Sequence, residues 1–409
     1  MPEIRLKGFT EPWVQRKLGD VADIRTGPFG SALHAEDYVS DGIPIITTEH
    51  FKSGMLPKGK ANIPQVSDDD YKRLHSYILN TDDIVFSRVG SIDINALVSD
   101  IQNGWLFSGR VLRVRTHDNV NSQYLHYELS TVKVKNDIIT RAVGQTMPSI
   151  NTEILKETTI FFPIDVDEQI AIGEFFRALD ENITLHKQKL DSLKKLKKGY
   201  LQQMFPQTGE VVPRVRFEGF TEPWTQRKLG EYTKLITKGT TPIDKSGNGE
   251  INFIKVENII NGEIKSTSKI SVEEHNGYLK RSRLKEGDIL FSIAGTLGRT
   301  AVVGKLILPA NTNQALAIIR DYDFDTNFLV TSFSAHVVSE YVKKNPTIGA
   351  QPNLSLEQIG DLIICTPSRM EQMTIGNFFH NLSNQITTQT QKLEQLKQLK
   401  TAYLQKMFV

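Results

Sequence analysis

The chain is written twice. Twelve residues from Gly8 to Gly19, Gly-Phe-Thr-Glu-Pro-Trp-Val-Gln-Arg-Lys-Leu-Gly, return from Gly219 to Gly230 with a single change, Val14 to Thr225. A second anchor closes each half: Glu168-Gln169, Ile172-Gly173 and Phe175-Phe176 recur as Glu371-Gln372, Ile375-Gly376 and Phe378-Phe379. Tyr200-Leu201-Gln202 and Met204-Phe205 recur as Tyr403-Leu404-Gln405 and Met407-Phe408. Matches of this length and order exclude chance, and an internal repeat constrains the fold before any local signal does. Between the anchors only echoes remain. Asp83-Ile84-Val85-Phe86-Ser87 with Gly90 faces Asp288-Ile289-Leu290-Phe291-Ser292 with Gly295, and Pro148, Glu153 and Pro163 face Pro352, Glu357 and Pro367. One scaffold therefore carries two different heads.

The end of each half reads as a long helix. Leu179, Ile183, His186, Leu190, Leu193, Lys197, Tyr200 and Met204 advance by alternating steps of four and three. Leu382, Ile386, Gln389, Leu393, Leu396, Lys400, Tyr403 and Met407 repeat the spacing. This stripe is the seam a coiled coil requires, and its polar members, His186 with Gln389 and Lys197 with Lys400, are placed to fix register. Ser368 to Glu371 has capping-box spacing, and Asp165 to Glu168 is its acidic counterpart. Helix from Glu168 to Phe205 would extend roughly 57 Å at ~1.5 Å per residue. Lys187, Lys189, Lys194, Lys195, Lys197 and Lys198, against Asp191 alone, read first as a solvated face; contact with a DNA spacer or a partner is the sharper alternative. Phe175, Phe176, Phe378 and Phe379 read as core.

The expected fold class is α/β: two mixed heads, residues 1–165 and 207–367, with helices over 166–206 and 368–409. The repeated segments 2–19 and 213–230 belong to the heads. Short apolar runs at Ile43–Ile46, Ile84–Phe86, Ile251–Ile254 and Val302-Val303 predict strands, and Gln123–Leu129 and Asn327–Val337 predict helices. Pro206 to Glu210 reads as a linker. The second copy of the repeat begins soon after the first helix ends. The halves are therefore expected to be related by a pseudo-two-fold, with antiparallel helices, residues 2–19 beside Val409, and a nearly circular chain.

Composition narrows the function classes. Lys plus Arg (49) balance Asp plus Glu (47), so whole-chain charge makes no case for nucleic acid. No apolar run has membrane-spanning length and the N-terminus lacks a signal core, which points to the cytoplasm. The single cysteine, Cys365, excludes an internal disulfide and reads as an inert thiol in an apolar run. No phosphate loop ending in Gly-Lys-Ser or Gly-Lys-Thr occurs, and the nine histidines lack metal-ligand spacing. Gly295-Thr296-Leu297-Gly298 reads as a turn. Without a Pro-Pro pair, the chain lacks the Asn/Asp-Pro-Pro-aromatic motif of adenine methyltransferases. These residues describe a binder with no catalytic or metal site.

The organisation resembles the specificity subunits of type I restriction-modification enzymes. The resemblance rests on the repeated Phe-Thr-Glu-Pro-Trp and Gln-Arg-Lys-Leu-Gly segments, Gly287-Asp288-Ile289-Leu290-Phe291-Ser292, Asn313-Gln314-Ala315, and the helix start at Pro367, Glu371 and Gln372. The first helix start, Pro163 to Glu168-Gln169, has one extra residue. The resemblance covers essentially the whole chain; each motif alone is soft, and order and duplication make it specific. It implies two target recognition domains reading a bipartite, asymmetric site in double-stranded DNA, with the helices setting the gap. It also implies two modification subunits that methylate adenine from S-adenosylmethionine, and two restriction subunits that use ATP and Mg. The chain itself then needs no cofactor and performs no chemistry.

Polar and basic residues beside glycines are the candidates for DNA contact, because glycine lets backbone approach phosphate. They are Arg25, Thr26, Arg88, Arg110, Arg141 and Gln145 in the first head. In the second they are Lys238, Thr240, Thr241, Arg299, Asn313, Gln314 and Gln351. The bland alternative for each is an ordinary surface role, and for the pair Gln145 and Gln351, before the matched prolines, it is use by the shared scaffold. For the whole chain, the alternative is a stand-alone tandem DNA-binding regulator without a methyltransferase partner.

Overall fold

The computed structural model describes residues 1–28, 33–207, 209–344 and 353–409. They form two compact units: unit 1 comprises Met1–Leu185 with Leu393–Val409, and unit 2 comprises His186–Lys392. Each unit thus takes a share of both long helices.

In unit 1 the strands that matter are β1 (Trp13–Lys17), β2 (Ala22–Thr26), β3 (Ile43–Ile46), β4 (Ile84–Ser87), β5 (Asn95–Leu97), β6 (Leu106–Phe107), β7 (Val111–Thr116) and β8 (Thr159–Pro163). Helices α1 (Ser122–Glu128) and α2 (Val132–Arg141) follow β7, and α3 (Val166–Gln203) follows β8. An antiparallel sheet runs β2-β7-β4-β5; β3 pairs in parallel with β6, and β1 is antiparallel to β8. The Ile-Val-Phe-Ser run of β4 is buried throughout, as expected of a strand covered on both faces. Its two sides feed separate clusters. Ile84 and Phe86 pack with α1 and α3, and Val85 packs with Ile46, Phe51 and Phe107.

Unit 2 repeats this plan with β9 (Thr225–Lys228), β10 (Thr233–Lys238), β11 (Ile251–Ile254), β12 (Ile289–Ser292), β13 (Thr300–Val302), β14 (Ala310–Thr312), β15 (Leu316–Tyr322) and β16 (Ile363–Thr366). Helix α4 (Thr326–Ser332) corresponds to α1, and α5 (Arg369–Lys406) corresponds to α3. The sheet runs β10-β15-β12-β13, β11 is parallel to β14, and β9 is antiparallel to β16.

The echoes in sequence mark shared devices. Before β4, Asp82 takes φ +69°, and the Asp83 carboxylate accepts Asn80 N at 2.7 Å and both arms of Arg115 at 2.7 Å. Before β12, Gly287 takes φ +84°, and Asp288 accepts Lys285 N at 2.7 Å and Arg320 at 2.6 Å. Each aspartate closes the turn and clamps the neighbouring strand. Bidentate Arg–carboxylate geometry is what makes the clamp directional.

The capping-box reading of the long helices needs correction. Ser368 Oγ does accept Glu371 N at 3.4 Å, but Asp165 receives Asp167 N rather than Glu168 N. The glutamates look elsewhere. Glu168 is fully buried against Arg5 at 2.6 Å, and Glu371 is fully buried against Arg216 at 2.7 Å. Each arginine also donates to the repeated segment, at Glu11 O and Glu222 O. The adjacent Gln169 and Gln372 accept from the backbone N–H groups of Asn121 and Asp325, the residues that cap α1 and α4. The repeated Glu-Gln pair therefore fastens repeat, head and long helix together.

Within both units α3 and α5 run antiparallel. In unit 1, Phe175 meets Tyr403 edge-on at 5.1 Å and Lys400 pairs with Asp180. In unit 2, Tyr200 meets Phe378 at 5.2 Å, Lys197 donates to Ser383, and Gln389 bonds the His186 carbonyl. Leu190, Leu382, Leu393, Met204 and Met407 are buried; Leu179, Ile183, Leu193, Ile386, Leu396, Tyr200 and Tyr403 are half-buried. Lys197 and Lys400 thus take different partners, Ser383 and Asp180. The chain start joins the end of α5, with Ile4 N donating to Lys406 O at 3.0 Å, and Val215 N makes the same bond to Gln203 O in unit 2. Phe408 accordingly packs on Tyr124 and Phe176, and Phe205 on Phe328 and Phe379.

Candidate nucleic-acid interface

Strand direction brings most of the sequence candidates to one end of each sheet. In unit 1, β2 and β4 finish where β7 and β5 begin. Thr26 and Arg25 therefore lie beside Arg110, which precedes β7, and Arg88, which follows β4. Gly27 makes the junction possible. A Cβ there would lie 2.1 Å from Ser108 O, so only glycine allows this approach. Arg88 N donates to Arg110 O and its guanidinium to Gly109 O, both at 3.0 Å. Arg25 donates to Ser76 O and lies over the Tyr77 ring. Arg110 is exposed and makes no side-chain hydrogen bond to another described residue. Its charge lies near that of Glu49, which Lys52 already pairs at 2.5 Å.

Arg141 stands apart. It ends α2 and pairs with Asp137 at 3.0 Å. Gln145 lies in the following loop, exposed, and that loop returns to the sheet end: Gly90 N donates to Pro148 O and Ile150 N to Arg88 O, each at 2.9 Å.

Unit 2 assembles the same end from different residues. Lys238 closes β10, Arg299 precedes β13, and Asn313 and Gln314 precede β15. Gly239 has the role of Gly27, with a Cβ falling 2.0 Å from Thr312 O. Thr240 N donates to Thr312 O at 2.9 Å, and the Thr241 hydroxyl donates to Gln314 Oε1. Arg299 reaches the carbonyls of Val256 and Ile259. Lys238, Arg299 and Gln314 are exposed. Gln351 lies outside the described residues.

Sequence reasoning missed several cations here. Lys245, Lys255 and Lys269 join Thr241 and Asn313 around a cavity of about 190 Å³ in unit 2. A usable signal exists for Lys255: it directly follows β11, whose parallel partner β14 ends just before Asn313. In unit 1, Arg113 lies opposite Arg25 across β2 and β7, only 8% exposed, with Nε bonded to no described residue. Burial pulls its pKa down, and neighbouring Arg115 adds to the effect. An arginine inside an apolar strand carries no pattern that would have exposed it.

Other chemistry is sparse. Among the described residues no group of three or more His, Cys, Asp or Glu side chains is placed to hold a metal ion. Cys365 is half-buried on β16, and burial pushes its thiol pKa up, away from the reactive thiolate. No helix among them is long and apolar enough to cross a membrane. The exposed lysines of α3, Lys187, Lys189, Lys194, Lys195 and Lys198, face solvent, whereas Lys197 is half-buried.

Comparison with known proteins follows this duplication. The family model described as type I restriction modification DNA specificity domain matches residues 10–195 and again 221–398. The EcoBI type I restriction enzyme specificity subunit of Escherichia coli is 23% identical over 398 residues, covering 89% of this chain and 78% of that protein. The MjaIX specificity subunit of Methanocaldococcus jannaschii is 20% identical, covering 97% and 92% respectively. In fold, the chain is similar to the crystal structure of a type I restriction-modification S subunit from M. genitalium. The TM-score is 0.68 at 16% identity, over 100% of this chain and 99% of that one. A chain from a structural study of type I R-M complex assembly and conformational transition gives 0.52 at 17% identity, over 97% and 98%.

Proposed function

The chain belongs to the type I restriction-modification DNA specificity family, and we propose on that footing that each unit reads one half of a split, asymmetric site in double-stranded DNA. The carrying observation is that one scaffold, held by matched Arg5–Glu168 and Arg216–Glu371 pairs, presents different polar sets at the same sheet end. Unit 1 offers Arg88, Arg110 and Gln145; unit 2 offers Lys238, Arg299, Asn313 and Gln314. A bidentate side-chain contact to one base is worth about 1–3 kcal/mol, too little for a genome. Linking two readers makes the second contact intramolecular, so their discriminations combine. A constant gap between the two half-sites is part of this reading.

The chain supplies recognition and its partners supply chemistry. Two modification subunits, one for each copy of the scaffold, transfer a methyl group from S-adenosylmethionine to adenine. Extruding that adenine from the stack falls to them. Restriction subunits using ATP and Mg complete the cytoplasmic nuclease. The test is methyl transfer to DNA by the purified chain alone, the modification subunit alone, and the two together. Transfer only by the mixture is expected. Transfer by this chain alone, or transfer by the modification subunit that ignores this chain, overturns the assignment.

A further inference from the structure

The loop between α2 and the Pro148–Ile150 segment is closed by backbone hydrogen bonds and exposes apolar side chains. Val143 and Ser149 exchange backbone hydrogen bonds, 3.0 Å one way and 2.9 Å the other, closing a short hairpin-like loop. Gly144 turns it with φ +98°, where a Cβ would meet Met147 O at 2.9 Å. Two further backbone hydrogen bonds hold its base, Gly90 N to Pro148 O and Ile150 N to Arg88 O, together making an antiparallel bridge between Val89 and Ser149. The loop is thus built into the sheet end that carries Arg88 and Arg110.

What it displays does not suit water. Val143 is 65% exposed and Met147 67%, with Gln145 exposed between them. A single exposed apolar side chain needs no account, but two on one hydrogen-bonded loop flanking an amide form a patterned surface. An amide beside small apolar groups matches the major-groove edge of an A·T pair. There the glutamine can bond adenine N6 and N7, and an apolar side chain can cover the thymine methyl. The cations at the loop base match phosphates, which position a reader without carrying sequence information.

We propose that the 143–149 loop is the base-reading element of unit 1, with Gln145 as the specificity-determining residue and Met147 and Val143 packing against thymine methyls. The proposal rests on the DNA-reading assignment above. Arg88 and Arg110 hold the backbone, and the loop enters the groove.

The experiment uses the complex with its modification subunit. Once the methylated motif of the wild type is mapped, duplexes altered one base pair at a time across both half-sites are titrated against wild type, Gln145→Ala, Gln145→Glu and Met147→Ala. Thermal melting and co-purification check that the complexes are intact, as exposed positions should allow. Gln145→Ala is expected to lose discrimination at one position of one half-site, by roughly 5- to 150-fold, with every other position unchanged. Gln145→Glu should shift preference there toward cytosine, whose N4 amine donates. Met147→Ala should blunt the response to losing a thymine methyl. A discrimination profile parallel to the wild type at every position, whether affinity falls uniformly or not at all, overturns the proposal. A wild type that methylates no split motif removes the DNA-reading assignment itself, a separate result.

Discussion

Lys197 donates to Ser383 Oγ at 2.8 Å in unit 2, whereas the corresponding Lys400 of unit 1 ion-pairs with Asp180 at 2.6 Å. The same helix–helix contact has kept its lysine and lost its acid. Burial lowers the pKa of Lys197, since no carboxylate offsets the desolvation of its ammonium. Asp180 also accepts Tyr127 Oη at 2.9 Å, whereas Ser383 Oγ donates to Phe379 O at 2.7 Å, so only unit 1 has an anion at this contact.

Ser383→Asp should therefore stabilise unit 2 by up to about 1 kcal/mol, the range of a partly screened ion pair. Asp180→Ser should cost unit 1 about 1–3 kcal/mol, because Lys400 and Tyr127 lose a shared acceptor. Calorimetric melting of both variants against wild type checks the pair. Equal shifts in the same direction would contradict the account.

Breaking the anchor of either repeat should be more damaging. Glu371→Ala leaves Arg216 without its buried partner, and removing one half of a buried pair typically costs about 3–5 kcal/mol. Urea unfolding should show the loss, and Arg216→Met in the same chain should recover part of it. An additive double variant would mean the two side chains do not act as a pair.

Glu128 gives unit 1 a pH dependence of defined sign. It is 1% exposed, its Oε1 accepts Phe161 N at 3.0 Å, and burial pushes its carboxyl pKa from 4.5 up to about 8. Between those values the folded chain keeps a proton that the unfolded chain releases. This group's contribution is thus most favourable below pH 4.5 and is lost as pH rises through about 8. His126 works oppositely: burial lowers it from 6.5 to about 4, so its contribution is lost as pH falls across that interval. Glu128→Gln keeps the acceptor and leaves His126 in place. Its stability relative to wild type should be near zero at pH 5 and favourable by on the order of a few kcal/mol at pH 8.5. A difference that does not change with pH would count against the buried-acid account.

Arg110→Ala should weaken DNA binding by similar factors on every sequence. It should also reduce the slope of log affinity against log salt by about 0.9, the share of one phosphate contact. Titration at several salt concentrations checks this. A change in base preference would place Arg110 on base edges instead.

Sequence carried some of this better than the rest. The helix stripes were legible because three-four spacing is local, and Leu190, Leu382 and Leu393 lie buried where the stripe put them. Runs such as Ile84–Phe86 announced strands for the same reason. The fate of Glu168 was not legible: its spacing fits a cap, and only tertiary structure brings Arg5 to it across 163 positions. Sheet order hid the convergence of Arg25, Arg88 and Arg110, which no local pattern links. Met147 and Val143 drew no reading from sequence, because two apolar residues outside any periodic run carry no local sign of exposure. Arg113 was invisible, since nothing in the Val-Leu-Arg-Val-Arg-Thr strand separates it, buried, from the ion-paired Arg115.

The most direct test of two readers on one scaffold is co-expression of this chain with its modification subunit in a methylation-free host, followed by single-molecule mapping of N6-methyladenine. The account predicts a split, asymmetric motif with a fixed gap, in which substitution of Gln145 alters one half and those of Lys238 and Gln314 the other. A continuous motif, or one in which both sets alter the same half, would contradict it.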